Sequence, residues 1–160
     1  GLTLIYADAK PIEFRYGLVE VGRGAMIGSI ISLPFLFLAR GVLSVTSARL
    51  FAIASFPALF QSLVLLAAPV EELFFRGFLQ RERGLVMAAI LYGLAGAVFF
   101  PTVSGRFPLV LAAVVGAMGL LGFIYGYVYN RYGLSASIAC HAVVNLFLLF
   151  LPPLLDQLTL

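Results

Sequence analysis

The chain has 160 residues, of which 62% are hydrophobic and 11% charged, and its mean hydropathy is +1.10. Water-soluble domains usually carry about 25% charged residues, so this composition excludes a surface that is solvated mainly by water. The net charge of +3 is too small to suggest nucleic-acid binding, and a single cysteine excludes an internal disulfide.

Charged residues divide the chain into an N-terminal segment and five uncharged runs. Residues 1–22 are mixed in charge and show no cleavable signal pattern, so we predict a segment outside the membrane. The uncharged runs cover residues 24–39, 50–70, 85–105, 107–130 and 132–155. Four runs reach the roughly 20 residues that a spanning helix needs, and the shorter first run is flanked by arginines that can reach the interfaces. The sequence therefore predicts an all-α integral membrane protein with about five transmembrane helices in one domain, residues 23–160.

The positions of lysine and arginine predict which side of the membrane holds the N-terminus. With five crossings, one side holds Lys10, Arg15, Arg23, Arg76, Arg81, Arg83 and Arg131. The other side holds Arg40, Arg49 and Arg106. Because basic residues are in excess on the cytoplasmic side of membrane proteins, we expect a multi-pass protein with its N-terminus in the cytoplasm or the equivalent organellar compartment.

Glycines recur in the third and fourth runs. They are Gly93, Gly96, Gly116, Gly119, Gly122 and Gly126. Small residues let helix backbones approach closely in lipid, so this pattern predicts helix packing rather than a direct role in a site.

Two adjacent carboxylates follow the second run, in the stretch APVEELFFRGFLQ of residues 68–80. Glu72 and Arg76 are four residues apart with the acid first, a spacing that favours an ion pair on one helix face. Glu71 is rotated by about 100° from Glu72, so it cannot share the arginine equally. Ionisable groups near the membrane core usually pair, line a wet cavity or do chemistry. We expect Glu72 to be structural and Glu71 to face a cavity; a solvated helix end is the alternative interpretation.

Pro69 lies two residues before Glu71. A proline inside a helix removes a hydrogen bond and tends to kink the chain, which leaves the Leu65 carbonyl in need of another partner. We predict that such a kink opens room for water beside Glu71.

The single histidine lies in the last run, in the stretch ACHAVVNLF. His141 and Asn145 are four residues apart and project from one helix face. A histidine near Glu71 could orient a water or stabilise an oxyanion, and Asn145 could donate to the same charge. Zinc catalysis typically needs three protein ligands, whereas Glu71 and His141 make two, and Cys140 points about 100° away from His141. The sequence therefore predicts no cofactor, with a metal as the alternative that the ligand count does not support.

The stretches EELFFR and HAVVN together resemble the EExxxR and HxxxN/D-type motifs of the CAAX-protease and bacteriocin-processing family, the CPBP or Abi intramembrane proteases. The resemblance covers about residues 50–150, a core of four helices. It implies that Glu71 is the base that activates water and that Glu72 and Arg76 complete the first motif. It also implies that His141 and Asn145 hold the oxyanion or the water.

One motif of that family is incomplete in this chain. The family's middle motif is FxxxH, and the corresponding stretch here is LYGLAGAVFF, with Tyr92 in place of the phenylalanine and Gly96 in place of the histidine. Glycine supplies neither a proton acceptor nor a metal ligand. The hydroxyls of Tyr92 and Thr102 are the nearby groups that could substitute in part, and Phe75, Tyr92 and Gly96 are candidate pocket residues.

Two functions remain open from the sequence. The first is an intramembrane endopeptidase that acts on membrane-associated or lipidated peptides. The second is a degenerate member without catalysis, which serves as a scaffold, accessory subunit or assembly factor among other membrane subunits. The presence of Glu71, His141 and Asn145 in the motifs favours the first function, and the glycine at position 96 and the small number of helices favour the second.

Overall fold

The computed structural model describes residues 17–51, 55–99 and 108–158, which form helices with no strand among them. Four helices in this part of the chain are long and apolar enough to cross a membrane: Leu18–Leu50, Phe56–Val98, Leu111–Tyr132 and Leu134–Leu158. The predicted all-α membrane protein is therefore confirmed. Most of the predicted non-membrane segment, residues 1–16, lies outside the described residues, whereas residues 18–22 belong to the first helix.

The span Phe56–Val98 reverses direction at Gly84. This residue has φ 81 and ψ 167, a conformation that glycine adopts without a steric penalty. Phe75 before the turn contacts Tyr92 after it, with ring centroids 4.9 Å apart. Gly133, with φ 90, makes the next reversal of this kind. We therefore number five helices: α1 (Leu18–Leu50), α2 (residues 56–83), α3 (residues 85–99), α4 (Pro108–Tyr132) and α5 (Leu134–Leu158). They correspond in order to the five uncharged runs.

Helix α2 continues past Pro69 and contains π-helical turns on both sides of it. The helix begins after Ser55, whose side-chain oxygen accepts a hydrogen bond from the Ala58 N–H at 3.4 Å. Two π-helical stretches, Gln61–Ala67 and Leu73–Leu79, flank the short α-helical segment Ala68–Glu72. Ala68, next to Pro69, has helical φ and ψ of −58 and −51. The backbone angles beside the proline thus stay helical, and the kink that the sequence predicted at Pro69 stays a prediction. π-helical turns are frequent at functional sites.

Helices α1 and α5 run parallel and make a close backbone contact. A Cβ added at Gly24 would lie 2.0 Å from the Ala136 carbonyl oxygen, and one added at Gly28 would lie 2.6 Å from the Cys140 carbonyl oxygen. Farther along, Arg40 pairs with Asp156 at 3.3 Å. The two helices therefore approach as closely as their backbones allow at one end.

Helix α4 packs antiparallel to α3 through glycines. A Cβ at Gly93 would lie 2.7 Å from the Val115 carbonyl oxygen and 3.0 Å from Gly119. A Cβ at Gly122 would lie 2.9 Å from the Tyr92 ring, and one at Gly126 would lie 2.6 Å from the Gln80 side chain. These glycines have the packing role that their spacing predicted. Gly116 differs, because no described atom lies within 4 Å of a Cβ added there.

The buried core occupies the half of the bundle nearest the turns at Gly84 and Gly133. Its buried members are Phe75, Tyr92, Tyr125, Val128, Ala136, Cys140 and Val144. Large apolar side chains on the outer faces, such as Phe37, Leu38 and Val98, are more than three-quarters exposed. An outward apolar surface of this kind suits lipid as the surrounding solvent. The candidate site lies at the edge of this core.

Candidate active site

Glu72 is fully buried and receives three polar contacts from two helices. Arg76, one turn along α2, places its Nε 3.2 Å from Oε2 of this carboxylate. Ser137 on α5 donates from its hydroxyl to the same oxygen and also contacts the Tyr125 carbonyl at 2.9 Å. His141, four residues beyond Ser137, places Nδ1 2.9 Å from Oε1. Glu72 therefore ties α2 to α5 through these contacts.

Arg76 is fully buried in an aromatic enclosure. Its Nη2 donates to the Gly122 carbonyl at 2.7 Å, where the absence of a side chain on the glycine leaves the carbonyl accessible. Its guanidinium carbon lies 4.8 Å from the ring centroid of Tyr92 and 5.5 Å from that of Tyr125. Cation–π attraction of this kind is strongest when the cation is desolvated. Within the described residues the Nη1 group has no hydrogen-bond acceptor, and the rings surround it instead.

The Glu71 side chain faces away from Arg76 and lines a cavity of about 400 Å³. Its carboxylate is 29% exposed, and Oε2 lies 3.8 Å from Nε2 of His141. The described residues that line the cavity are Leu50, Phe51, Leu63, Ala67, Glu71, Phe75, Tyr92, Ala95, Gly96, Met118, His141, Asn145 and Leu149. The three catalytic residues that the sequence predicted therefore border the same cavity as the three predicted pocket residues. The supporting pair Glu72 and Arg76 does not line it.

His141 is held in a fixed orientation between the two glutamates. The Tyr125 ring stacks on it, with centroids 4.6 Å apart and planes 13° from parallel. Because an ionised carboxylate only accepts hydrogen bonds, Nδ1 carries the proton that His141 donates to Glu72. In the neutral ring Nε2 is then a lone-pair acceptor, and it is the nitrogen that faces Glu71 and Tyr92.

Asn145 has a structural contact as well as a place on the cavity wall. Its Nδ2 donates to the Leu63 carbonyl at 3.0 Å. Leu63 belongs to the π-helical stretch that precedes Pro69, where the widened turn leaves a carbonyl available. The sequence predicted a carbonyl in need of a partner at Leu65, two residues farther on. One N–H of Asn145 is occupied by Leu63, and the amide has a second N–H to offer to a bound molecule.

Gly96 lies on the cavity wall against Met118. A Cβ added at Gly96 would lie 2.8 Å from Cγ of Met118 and 3.2 Å from its Cβ. The thioether chain of α4 thus occupies the space into which a larger side chain at this position would extend. The other hydroxyl that the sequence considered as a substitute, Thr102, lies outside the described residues. Tyr92 borders the cavity from one turn earlier on α3.

Metal ligation has little support in this part of the molecule. Among the residues described, no group of three His, Cys, Asp or Glu side chains has the geometry to hold a metal ion. Cys140 is a free thiol that is fully buried in the core, next to His141 in sequence but not on the cavity wall.

Sequence reasoning missed three side chains that support the site. Ser137 is one turn before His141, so the spacing 137, 141, 145 on one face of α5 was the available signal. Gln80 continues the face of Glu72 and Arg76, and its Nε2 donates to the Gly126 carbonyl at 3.1 Å and to Asn130 at 2.9 Å. Tyr125 stacks on His141 from α4, and no pattern within its own helix indicates that contact.

Fold and site together define a multi-pass α-helical membrane protein with a buried Glu–Arg–His network beside a cavity. A family model described as "Type II CAAX prenyl endopeptidase Rce1-like" matches residues 53–147, which is more than half of the chain. The chain belongs to this Rce1-like family, and the resemblance to CAAX proteases is thereby confirmed. No curated protein and no solved structure matches the chain.

Proposed function

We propose that the chain is an intramembrane endopeptidase in which Glu71 activates water for peptide-bond hydrolysis. The observation that carries the proposal is the convergence of Glu71, His141 and Asn145 on one cavity, although these residues are distant in the sequence. A carboxylate that is buried on one side and open to a cavity on the other is a suitable general base. The adjacent Glu72 is fully paired and has no access to the cavity, so it is not available for this role.

The chemistry follows from the orientation of each group. The Glu71 carboxylate takes a proton from a water molecule, whose other hydrogen is donated to Nε2 of His141. The resulting hydroxide attacks the scissile carbonyl carbon, and the carbonyl π electrons move to oxygen to form an oxyanion. The second N–H of Asn145 donates a hydrogen bond toward this oxyanion. The oxyanion electrons then re-form the carbonyl, the C–N bond breaks, and the leaving nitrogen takes the proton that Glu71 holds, which gives an amine and a carboxylic acid and restores the Glu71 carboxylate. The carboxylic acid loses its proton to water.

A lipidated peptide is the substrate class that fits the cavity and the family. The family description names a prenyl endopeptidase, and we extend that class to this chain. Apart from the four polar side chains, the described wall is apolar, with Leu63, Phe75 and Met118 among its members. Such a wall accommodates an isoprenoid or apolar side chains next to a small polar centre.

Cleavage of a prenylated reporter peptide tests the proposal. We expect the purified protein in proteoliposomes to cleave a fluorogenic peptide that carries a farnesylated cysteine near its C-terminus. Glu71→Gln removes the base, and its kcat should fall by roughly 100-fold or more, which is typical for loss of a general base. Glu82→Gln, an exposed carboxylate at the turn before Gly84, is the matched control and should keep the wild-type rate. Wild-type cleavage by Glu71→Gln would contradict the proposal.

A second candidate function is supported by position 96. Gly96 adds no polar group to the cavity, and Met118 fills the adjacent space, so a scaffold or accessory subunit without catalysis is the alternative. This function predicts that the protein is isolated from its native membrane with stoichiometric partner chains. It also predicts no reporter cleavage, and normal cellular function of a Glu71→Gln variant that folds.

A further inference from the structure

The hydroxyl of Tyr92 is a hydrogen-bond donor at the polar end of the cavity. It lies 3.4 Å from Nε2 of His141, and it also interacts with the Glu71 carboxylate. Tyr92 is 3% exposed and borders the cavity. Its ring is fixed by an edge contact with Phe75 and by the Arg76 guanidinium over its face. The phenol is therefore held in a fixed position beside Glu71 and His141, the two side chains that contact the water molecule in the proposed mechanism.

Tyr92 differs from the neighbouring polar side chains in that its hydroxyl can donate a hydrogen bond. An ionised Glu71 carboxylate only accepts hydrogen bonds. When a neutral His141 donates from Nδ1 to Glu72, its Nε2 carries the lone pair and also only accepts. Glu72 is also paired with Arg76 and receives the Ser137 hydroxyl. With His141 in that state, the Tyr92 phenol is the group among Glu71, Tyr92 and His141 that offers a hydrogen to an anion in the cavity.

We propose that Tyr92 is a catalytic residue whose phenolic O–H donates a hydrogen bond to the oxyanion of the tetrahedral intermediate. This inference rests on the proposed endopeptidase function. The phenol keeps its proton throughout: the water proton goes to Glu71, the oxyanion forms at the former carbonyl oxygen, and Tyr92 and Asn145 stabilise it together. On this basis the cavity keeps two oxyanion donors although Gly96 contributes none.

Removal of the hydroxyl with retention of the ring tests the role of Tyr92. Tyr92→Phe should keep the fold, because the contacts with Phe75 and Arg76 are made by the ring. Its kcat on the farnesylated reporter should fall by roughly 100-fold, the usual effect of losing one oxyanion donor, with little change in KM. Tyr127→Phe, which removes a phenol from the lipid-exposed face of α4, is the control and should keep wild-type kinetics. An unchanged kcat for Tyr92→Phe would overturn the inference.

The chain's single histidine allows a second measurement that needs no substrate. Histidine-selective ¹⁵N labelling gives one imidazole in the NMR spectrum, and we expect Nδ1 protonated and Nε2 unprotonated at neutral pH. A proton on Nε2 would overturn the inference, because His141 would then itself be a donor to the oxyanion.

The two proposals fail in different ways. If Glu71→Gln is inactive and Tyr92→Phe is fully active, the endopeptidase stands and Tyr92 has no catalytic role. If the wild-type protein cleaves no prenylated reporter, the endopeptidase function fails, and the catalytic role of Tyr92 fails with it.

Discussion

Glu71 and Glu72 are neighbours in sequence, yet the fold gives them opposite surroundings. Glu72 is fully buried with an arginine, a serine and a histidine around its carboxylate. Glu71 is partly exposed in the cavity, and its Oε2 lies 3.8 Å from Nε2 of His141. The helical rotation of about 100° per residue is what separates the two roles.

We predict that Glu72→Gln lowers stability far more than Glu71→Gln does. Loss of the Glu72 charge leaves Arg76 buried without its counter-charge, and breaking a buried pair in this way costs roughly 3–5 kcal/mol. Thermal unfolding in detergent measures the effect, and the adjacent Glu71→Gln variant serves as the control. Equal unfolding temperatures for the two variants would show that Glu72 does not have the structural role assigned to it.

At the scale of elements, helix contacts depend on residues that have no side chain. Gly24 and Gly28 bring α1 against α5, and Gly93 and Gly119 bring α3 against α4. Small residues at such crossings allow the close van der Waals contact that holds helices together in lipid. Helix α5, which carries Ser137, His141 and Asn145, is therefore held against α1 through glycines of α1.

Two glycines of α1 provide a matched test of this close contact. Gly24→Ala should destabilise the protein by roughly 1–3 kcal/mol, because the added methyl would overlap the Ala136 carbonyl and force the helices apart. Gly22→Ala, two residues earlier, meets no described atom within 4 Å and should be neutral or stabilising by up to about 1 kcal/mol through helix propensity. Unfolding temperatures of the two variants are the measurement. A Gly24→Ala protein as stable as Gly22→Ala would contradict the predicted contact.

At the scale of the whole molecule, the described arginines are distributed unevenly between the two ends of the bundle. Arg81 and Arg83 lie beside the Gly84 turn, Arg131 lies beside the Gly133 turn, and Arg23 lies over the Tyr132 ring at the same end. Arg40 and Arg49 lie toward the other end of α1. Arg76, which the sequence prediction assigned to the basic side, is buried with Glu72 and does not belong to either surface.

We propose that the end with the Gly84 turn faces the cytoplasm or its equivalent, because basic residues are in excess there. Labelling of single introduced cysteines with a membrane-impermeant maleimide tests this orientation. The two variants are Arg83→Cys and Arg49→Cys. In sealed right-side-out vesicles we expect labelling of Arg49→Cys, and labelling of Arg83→Cys only after the membrane is opened. The native Cys140 is buried and should stay unlabelled in wild type, which provides the blank. The reverse labelling pattern would invert the orientation.

Much of the architecture could be predicted from the sequence, because it depends on local properties. The five uncharged runs correspond in order to the five helices, which form four spans long and apolar enough to cross a membrane when α2 and α3 are taken together across Gly84. Length and hydropathy decide whether a segment can cross a membrane. The spacing of Glu72 and Arg76 placed them on one face, and the spacing of His141 and Asn145 did the same, because a helix repeats every 3.6 residues. Motif order gave the family, which the match over residues 53–147 confirmed.

Contacts between helices were decided by the tertiary structure alone. The sequence paired Glu72 with Arg76 but gave no sign that Ser137 and His141 share its carboxylate. It placed Tyr92 on the pocket wall without showing that its hydroxyl lies beside Nε2 of His141. Spacing fixes the direction of a side chain around its own axis, whereas distances across the bundle depend on glycine crossings and on the π-helical turns that change the register of α2. The cavity and the hydrogen-bond contacts around it therefore form only once the helices have packed.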